Sequence, residues 1–183
     1  RLEGFRREGK LLAYGVSNWS AARVREAADY AASHGCSGFG GVQNQWSLAR
    51  VVPERIADRT LVCMDEALYK LLCEREDSLC TLAFSAMGKG YFTKAAAGTL
   101  REGALMEYRC ALNERRLEAL RRLSEDRHVP IASLVLAWMS AKPFAAVPIA
   151  AVSSAAQLGD LAAAFDLSLN PEEVSLLDAG EEY

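Results

Sequence analysis

Histidine is scarce in this chain of 183 residues, which holds only His34 and His128. No His-x-x-x-His pair and no Gly-x-Ser-x-Gly run occurs, so the zinc-protease and serine-hydrolase signatures are absent. The five cysteines stand at 36, 63, 73, 80 and 110, an odd number without a Cys-x-x-Cys pair. That spacing indicates neither a zinc site nor a disulfide scaffold. Buried thiols in a reducing compartment are expected instead, and with them the cytoplasm. No apolar run is long enough to cross a bilayer. The charged start Arg1-Leu2-Glu3-Gly4-Phe5-Arg6-Arg7 is not followed by the apolar core of a signal peptide. Charge of one sign is also missing: the net charge is -3, and no basic patch points to nucleic acid. Linkers, low-complexity segments and evenly spaced repeats are lacking too. The first residue is not Met, which fits a piece of something longer.

What is present is one pattern four times over: a short β-like run, a polar or glycine-containing turn, then a helix. The first run is Leu11 to Val16, followed by Ser17-Asn18-Trp19-Ser20. Ser20 is the expected N-cap of a helix over 21–34 that stops at Gly35. The second run, Gly38 to Gln43, leads through a loop with Pro53 to a helix over 64–75. The third run, Leu79 to Phe84, is nearly all apolar, as in a strand covered on both faces. Ser85 to Gly90 follows it, and a poorly patterned loop is expected over 94–111. Asn113 is expected to cap a helix reaching Arg127, and Pro130 to open another that ends near Lys142. The fourth run is Ala145 to Ala150, and Ser153-Ser154 precedes a helix through Phe165. Asn170-Pro171 with Glu173 forms a capping box for a last helix ending near Asp178.

Alternating strands and helices read as βα units on a parallel sheet, an α/β fold. Four units make an open sheet or half of a (β/α)8 barrel, since a full barrel takes about 250 residues. Ligands in such folds bind at the carboxyl ends of strands. That rule singles out Ser17-Asn18, Gln43, Ser85 to Gly90, and Ser153-Ser154. Ser17, Asn18 and Gln43 carry groups that pair with an amide-bearing ligand, and equally groups that shape a turn. Met87-Gly88-Lys89-Gly90 suits an anion, though such a run also makes an ordinary turn. Ser153-Ser154 suits a phosphate at a helix start or a simple cap. Phe84 either stacks on a flat ring or fills the core. No acid-base or nucleophilic constellation stands out. His34 at a helix end and His128 between helices read as capping or surface residues.

Taken together, these places resemble the aldo-keto reductase family. Gly9-Lys10-Leu11-Leu12-Ala13-Tyr14-Gly15-Val16-Ser17-Asn18-Trp19 resembles its strand-five motif, and Val42-Gln43-Asn44-Gln45-Trp46-Ser47-Leu48 its strand-six motif. Ala83 to Gly90 looks like the strand-seven loop. Pro148-Ile149 through Gln157-Leu158 looks like strand eight and its helix, with Leu167 to Leu177 as the tail. Four motifs in order span nearly the whole chain, residues 1–183. The resemblance implies the C-terminal half of a (β/α)8 TIM barrel, strands five to eight plus extra C-terminal helices.

The same resemblance implies an extended NADP cofactor, with NAD as the second option, and a small aldehyde or ketone as hydride partner. Ser17, Asn18 and Gln43 would hold the nicotinamide carboxamide, and Phe84 stands where a tyrosine stacks on the ring. Ser85, Met87, Lys89 and Gly90 would wrap the pyrophosphate. Ser153, Ser154 and Gln157 would hold the adenosine 2'-phosphate and adenine. Ala151 replaces a frequent glycine, and Ser154 a frequent Lys or Arg, which removes a charge-assisted contact to a 2'-phosphate. The family's catalytic Asp, Tyr, Lys and His come from strands two to four, and no residue here matches them. Tyr14, Tyr30, Tyr69, Tyr91, Tyr108 and Tyr183 all lie outside that motif. The isolated chain is therefore expected to be inactive, since a positioned acid is worth about 100- to 10,000-fold in rate. The alternative is a non-catalytic half-barrel that pairs with itself or with a partner through its exposed edge.

Overall fold

The computed structural model describes residues 1–179. The domain expected over 1–183 thus runs past it, and Tyr183 lies outside the described residues. A short helix, α1 (Leu2–Arg7), precedes the first strand, β1 (Gly15–Ser17). Helix α2 (Ala21–Ser33) leads to β2 (Gly41–Gln43), and α3 (Glu66–Glu74) to β3 (Cys80–Phe84). Three helices follow, α4 (Tyr91–Ala96), α5 (Ala111–Arg127) and α6 (Ile131–Ser140), before β4 (Ala146–Ile149). Then come α7 (Ala155–Ala162) and α8 (Pro171–Asp178). The strands form one sheet in the order β1-β2-β3-β4, each neighbouring pair parallel. Parallel neighbours require crossovers, and the helices supply them.

Local chemistry sets the helix starts. The Ser20 hydroxyl accepts from the Arg23 N–H at 3.4 Å, and the Asp65 carboxylate accepts from the Leu68 N–H at 2.8 Å. At α8 the expected capping box is complete: Asn170 Oδ1 accepts from the Glu173 N–H at 2.9 Å. In return, the Glu173 carboxylate accepts from the Asn170 N–H at 2.8 Å. His34 and His128 close α2 and α5 as C-caps, as their positions suggest.

Several expectations are corrected. Each strand is shorter than its apolar run. The loop expected over 94–111 begins inside α4 and contains a 3₁₀ turn, Met106–Tyr108. Asn113 is not a cap. It sits within the first turn of α5, fully buried, where its Nδ2 donates to the Tyr108 carbonyl at 2.6 Å and the Arg50 carbonyl at 2.8 Å. Its Oδ1 accepts from the Arg50 N–H at 2.8 Å. The side chain ties two loops to α5, and Cys110 takes the cap position without a side-chain bond. The cysteines are free but half-buried rather than buried. Among the described residues no helix is long and apolar enough to cross a membrane.

β3 is covered on one face only. Thr81 and Ala83 are fully buried, whereas Cys80, Leu82 and Phe84 alternate with them and stay half-buried. Leu82 lies opposite Val147 and Phe84 opposite Ile149, and those two β4 side chains are 49% and 40% exposed. One sheet face thus packs on the helices and the other is open. Beneath the covered face lies the core, with Val42, Leu71, Leu120, Leu134 and Trp138 at 0% exposure. Arg116 is fully buried as well, donating to the carbonyls of Leu48 (2.8 Å), Leu177 (2.9 Å) and Asp178 (3.3 Å). The Asp178 carboxylate accepts from Trp138 Nε1 at 2.7 Å and from Lys142 Nζ at 2.9 Å. Burial pushes the Lys142 ammonium pKa down, and Asp178 restores only part of it.

Candidate functional site at the strand ends

The carboxyl ends of all four strands lie along one rim. Ser17 and Gln43 face each other across β1 and β2. The Ser17 hydroxyl donates to the Gln43 carbonyl at 3.0 Å. Asn18 then turns the chain with φ +57°. Its N–H is shared between the Gln43 carbonyl (3.1 Å) and Asn44 Oδ1 (3.0 Å), and its own Oδ1 accepts from the Val62 N–H at 3.0 Å. Nδ2 of Asn18 donates to Ser17 Oγ at 3.3 Å. Asn18 is therefore held in place by β2 and by the loop that follows it. The Gln43 side-chain carboxamide, half-buried, forms no hydrogen bond among the described residues.

Beyond β3 the chain makes a tight loop. Ser85 adopts φ +55°, and Lys89, at +54°, stands between Gly88 at +53° and Gly90 at +77°. A non-glycine residue in this region costs roughly 1–2 kcal/mol. Among the described residues six non-glycine positions have positive φ, and three of them, Asn18, Ser85 and Lys89, lie in the turns that follow β1 and β3. At this rim the strain coincides with the strand ends where ligands bind in parallel α/β folds. Gly88 is required by space as well as by φ, since a Cβ there would lie 2.7 Å from that of Ala49. Lys89 Nζ pairs with the Glu107 carboxylate at 2.7 Å. Burial raises the Glu107 pKa, and the bonds from Lys89 and the backbone more than reverse that, leaving it below the ordinary range. Lys94, on α4, donates to the Lys89 carbonyl at 2.8 Å.

Across the rim, β4 ends at Ile149 and α7 begins. Ser154 Oγ accepts from the Gln157 N–H at 3.2 Å, and Gln157 Oε1 accepts from the Ser153 N–H at 2.7 Å. Between this turn and the β3 loop opens a cavity of about 730 Å³. That volume suits a small-molecule ligand. Ser85, Met87, Lys89, Gly90, Ser153 and Gln157 line it, six of the residues singled out from the sequence. Ser17, Asn18, Gln43, Phe84 and Ser154 do not line it. The first three stand at the β1–β2 end of the rim, and Phe84 is on the open sheet face beside Ile149. Thr93, Lys94, Thr99 and Asp160 also line the cavity and were missed. Thr93 and Lys94 lie on α4, whose C-terminal half falls within the loop expected over 94–111. A smaller cavity of about 390 Å³ lies under the 45–66 segment. There burial pushes the Cys63 thiol pKa up, away from reactivity.

The model of the aldo/keto reductase family matches residues 1–182. The chain belongs to the aldo/keto reductase family. Among solved structures it is similar to a thermostable aldo-keto reductase, Tm1743, in complex with the inhibitor epalrestat. The TM-score is 0.62 at 20% identity, covering 97% of this chain and 52% of that one. The chain thus spans about half the length of that solved relative. At such identity the likeness speaks for the fold alone. The family match spans all four βα units of the sheet.

Proposed function

We propose that this aldo/keto reductase chain supplies the cofactor-holding part of an NAD(P)H-dependent oxidoreductase that acts on an aldehyde or ketone. The observation that carries the reading is the rim itself, where an unpartnered Gln43 carboxamide, a strained β3 loop and the cavity beside it stand at successive strand ends. Gln43, oriented beside Ser17 and Asn18, donates and accepts toward the nicotinamide carboxamide. Phe84, on the open face, offers its ring for stacking. The β3 loop, with Lys89, faces the pyrophosphate. Ser153, Ser154 and Gln157 face the adenosine end. When bound, the cofactor supplies the hydride. The family's proton-donating set has no counterpart in these four βα units, so the chain on its own binds without turning over. The fold is read as strands five to eight of the barrel, and the cytoplasm as its setting.

A second reading rests on the open sheet face of Leu82, Phe84, Val147 and Ile149: a non-catalytic half-barrel that covers this face with a copy of itself or a partner chain. Fluorescence titration of the chain with NADH and NADPH, with size measured by light scattering, tests both. Saturable binding without reduction of carbonyl substrates is expected. A cooperatively melting chain that binds neither dinucleotide overturns the cofactor reading, and a monomer at all concentrations overturns self-pairing.

A further inference from the structure

We propose that the α7 end of the cavity selects a dinucleotide with a free 2'-hydroxyl, NAD(H), over its 2'-phosphorylated form, NADP(H). The inference rests on the reading of this cavity as a nicotinamide dinucleotide site. Its ground is how charge and hydrogen-bonding capacity are divided between the two sides.

The cations that line the cavity are Lys89 and Lys94, and both stand on the β3 side. The opposite side, from Ala150 through Leu161, contributes one charged lining residue, Asp160, and no cation. A 2'-phosphate near neutral pH carries about 1.5 to 2 negative charges. Placed here it would meet a carboxylate and find no basic side chain to pair with.

The amides at the start of α7 compensate only in part, since two of those in this turn are already taken and only those of Ser154, Ala155 and Ala156 stay without a partner among the described residues. The free N–H groups of a helix start normally make an anion site. In this turn the Ser153 N–H is taken by Gln157 Oε1 at 2.7 Å and the Gln157 N–H by Ser154 Oγ at 3.2 Å. The Gln157 side chain thus fills with its own oxygen a donor that a phosphate oxygen would use. A phosphate would have to break that bond to use the Ser153 N–H, and the remaining free amides of the turn offer it no full positive charge. A ribose diol makes the opposite demand: its hydroxyls donate, and a carboxylate accepts. The pairing of an acidic side chain with an unphosphorylated ribose is the general solution in NAD sites of other folds.

The test uses fragments without the nicotinamide, so that it reads this end of the cavity apart from Gln43. The 183-residue chain is titrated calorimetrically with ADP-ribose and with 2'-phospho-ADP-ribose, and its thermal melt is followed in the same buffer. Binding of ADP-ribose at least tenfold tighter is expected. Two exposed substitutions, Asp160→Asn and Ser154→Arg, are each expected to narrow that ratio, chiefly by strengthening the phosphorylated fragment. Equal or tighter binding of 2'-phospho-ADP-ribose by the unaltered chain overturns the NAD(H) preference while leaving the dinucleotide site standing. A cooperatively melting chain that binds neither fragment overturns the site and the preference together.

Discussion

The helical flank uses its buried polar side chains to tie the fold together, whereas the strand-end rim ties some, such as Asn18, and leaves Gln43 facing outward. Beneath the covered sheet face, Arg116 gives its donors to three backbone carbonyls, and Asp178 gathers Trp138 and Lys142. Asn113 does the same for two loops. Along the rim the Gln43 carboxamide stays unpartnered, and Asn18, Ser85 and Lys89 hold strained backbone. Polar side chains of one chain therefore separate into those that complete the fold and those that face outward. Residue type does not distinguish them, because a buried arginine and an exposed lysine both carry a full charge. What distinguishes them is whether the backbone nearby has groups to satisfy.

The sharpest way to break this contrast is Arg116→Leu. Two buried carbonyls and one part-buried carbonyl lose their donor, at about 1–3 kcal/mol for each buried group left unsatisfied. A loss of about 3 kcal/mol or more is expected in urea unfolding. A loss below about 1 kcal/mol, the scale of a single net hydrogen bond, would place Arg116 with the dispensable surface charges. Gly88→Ala probes the rim in the same assay. Positive φ and the approach to Ala49 together cost roughly 2 kcal/mol, and ADP-ribose affinity is expected to fall at least tenfold. Loss of stability with unchanged affinity would remove the β3 loop from the site.

Tyr108 sharpens the comparison through pH. Its hydroxyl accepts from Gln45 Nε2 at 2.9 Å, and burial pushes the phenol pKa up to about 12 from 10.0, a rise the Gln45 bond only tempers. The folded state thus favours the neutral phenol. That contribution is present in full below pH 10 and is lost as pH rises toward 12, amounting to about 2 kcal/mol. Stability of the unaltered chain is expected to fall faster above about pH 10 than that of Tyr108→Phe. Parallel curves would mean that the phenol is wetter than its burial implies. Asn170→Ala gives the smallest effect, about 1 kcal/mol, through loss of the capping box, with no change in ligand binding.

Much of this was legible in the sequence. The four strands appeared in the right order because short apolar runs bounded by turn residues mark a parallel sheet wherever it is buried. The α8 box was readable from Asn170, Pro171 and Glu173 because a cap is local chemistry. α4 was not, since its six residues carry no apolar period. Asn113 deceived because a capping residue type three positions into a helix looks like a helix start, and only the distant Arg50 and Tyr108 decide its use. Arg116 lies in a run rich in arginine that reads as solvated surface, and its burial depends on α8, about sixty residues away. At the site, strand-end positions were legible from topology. Asp160 and the Ser153–Gln157 bond were not, because they depend on which face of α7 turns toward the cavity.

The order of the strands has one more consequence, for the birth of the chain. Each of β2, β3 and β4 pairs with the strand just before it in sequence. A polypeptide emerging from the ribosome therefore finds each new strand's neighbour already made, and the sheet grows at one edge as synthesis proceeds. The contacts of Asp178 with Trp138 and Lys142 form only after all four strands have been made, so they act as a latch on a finished sheet.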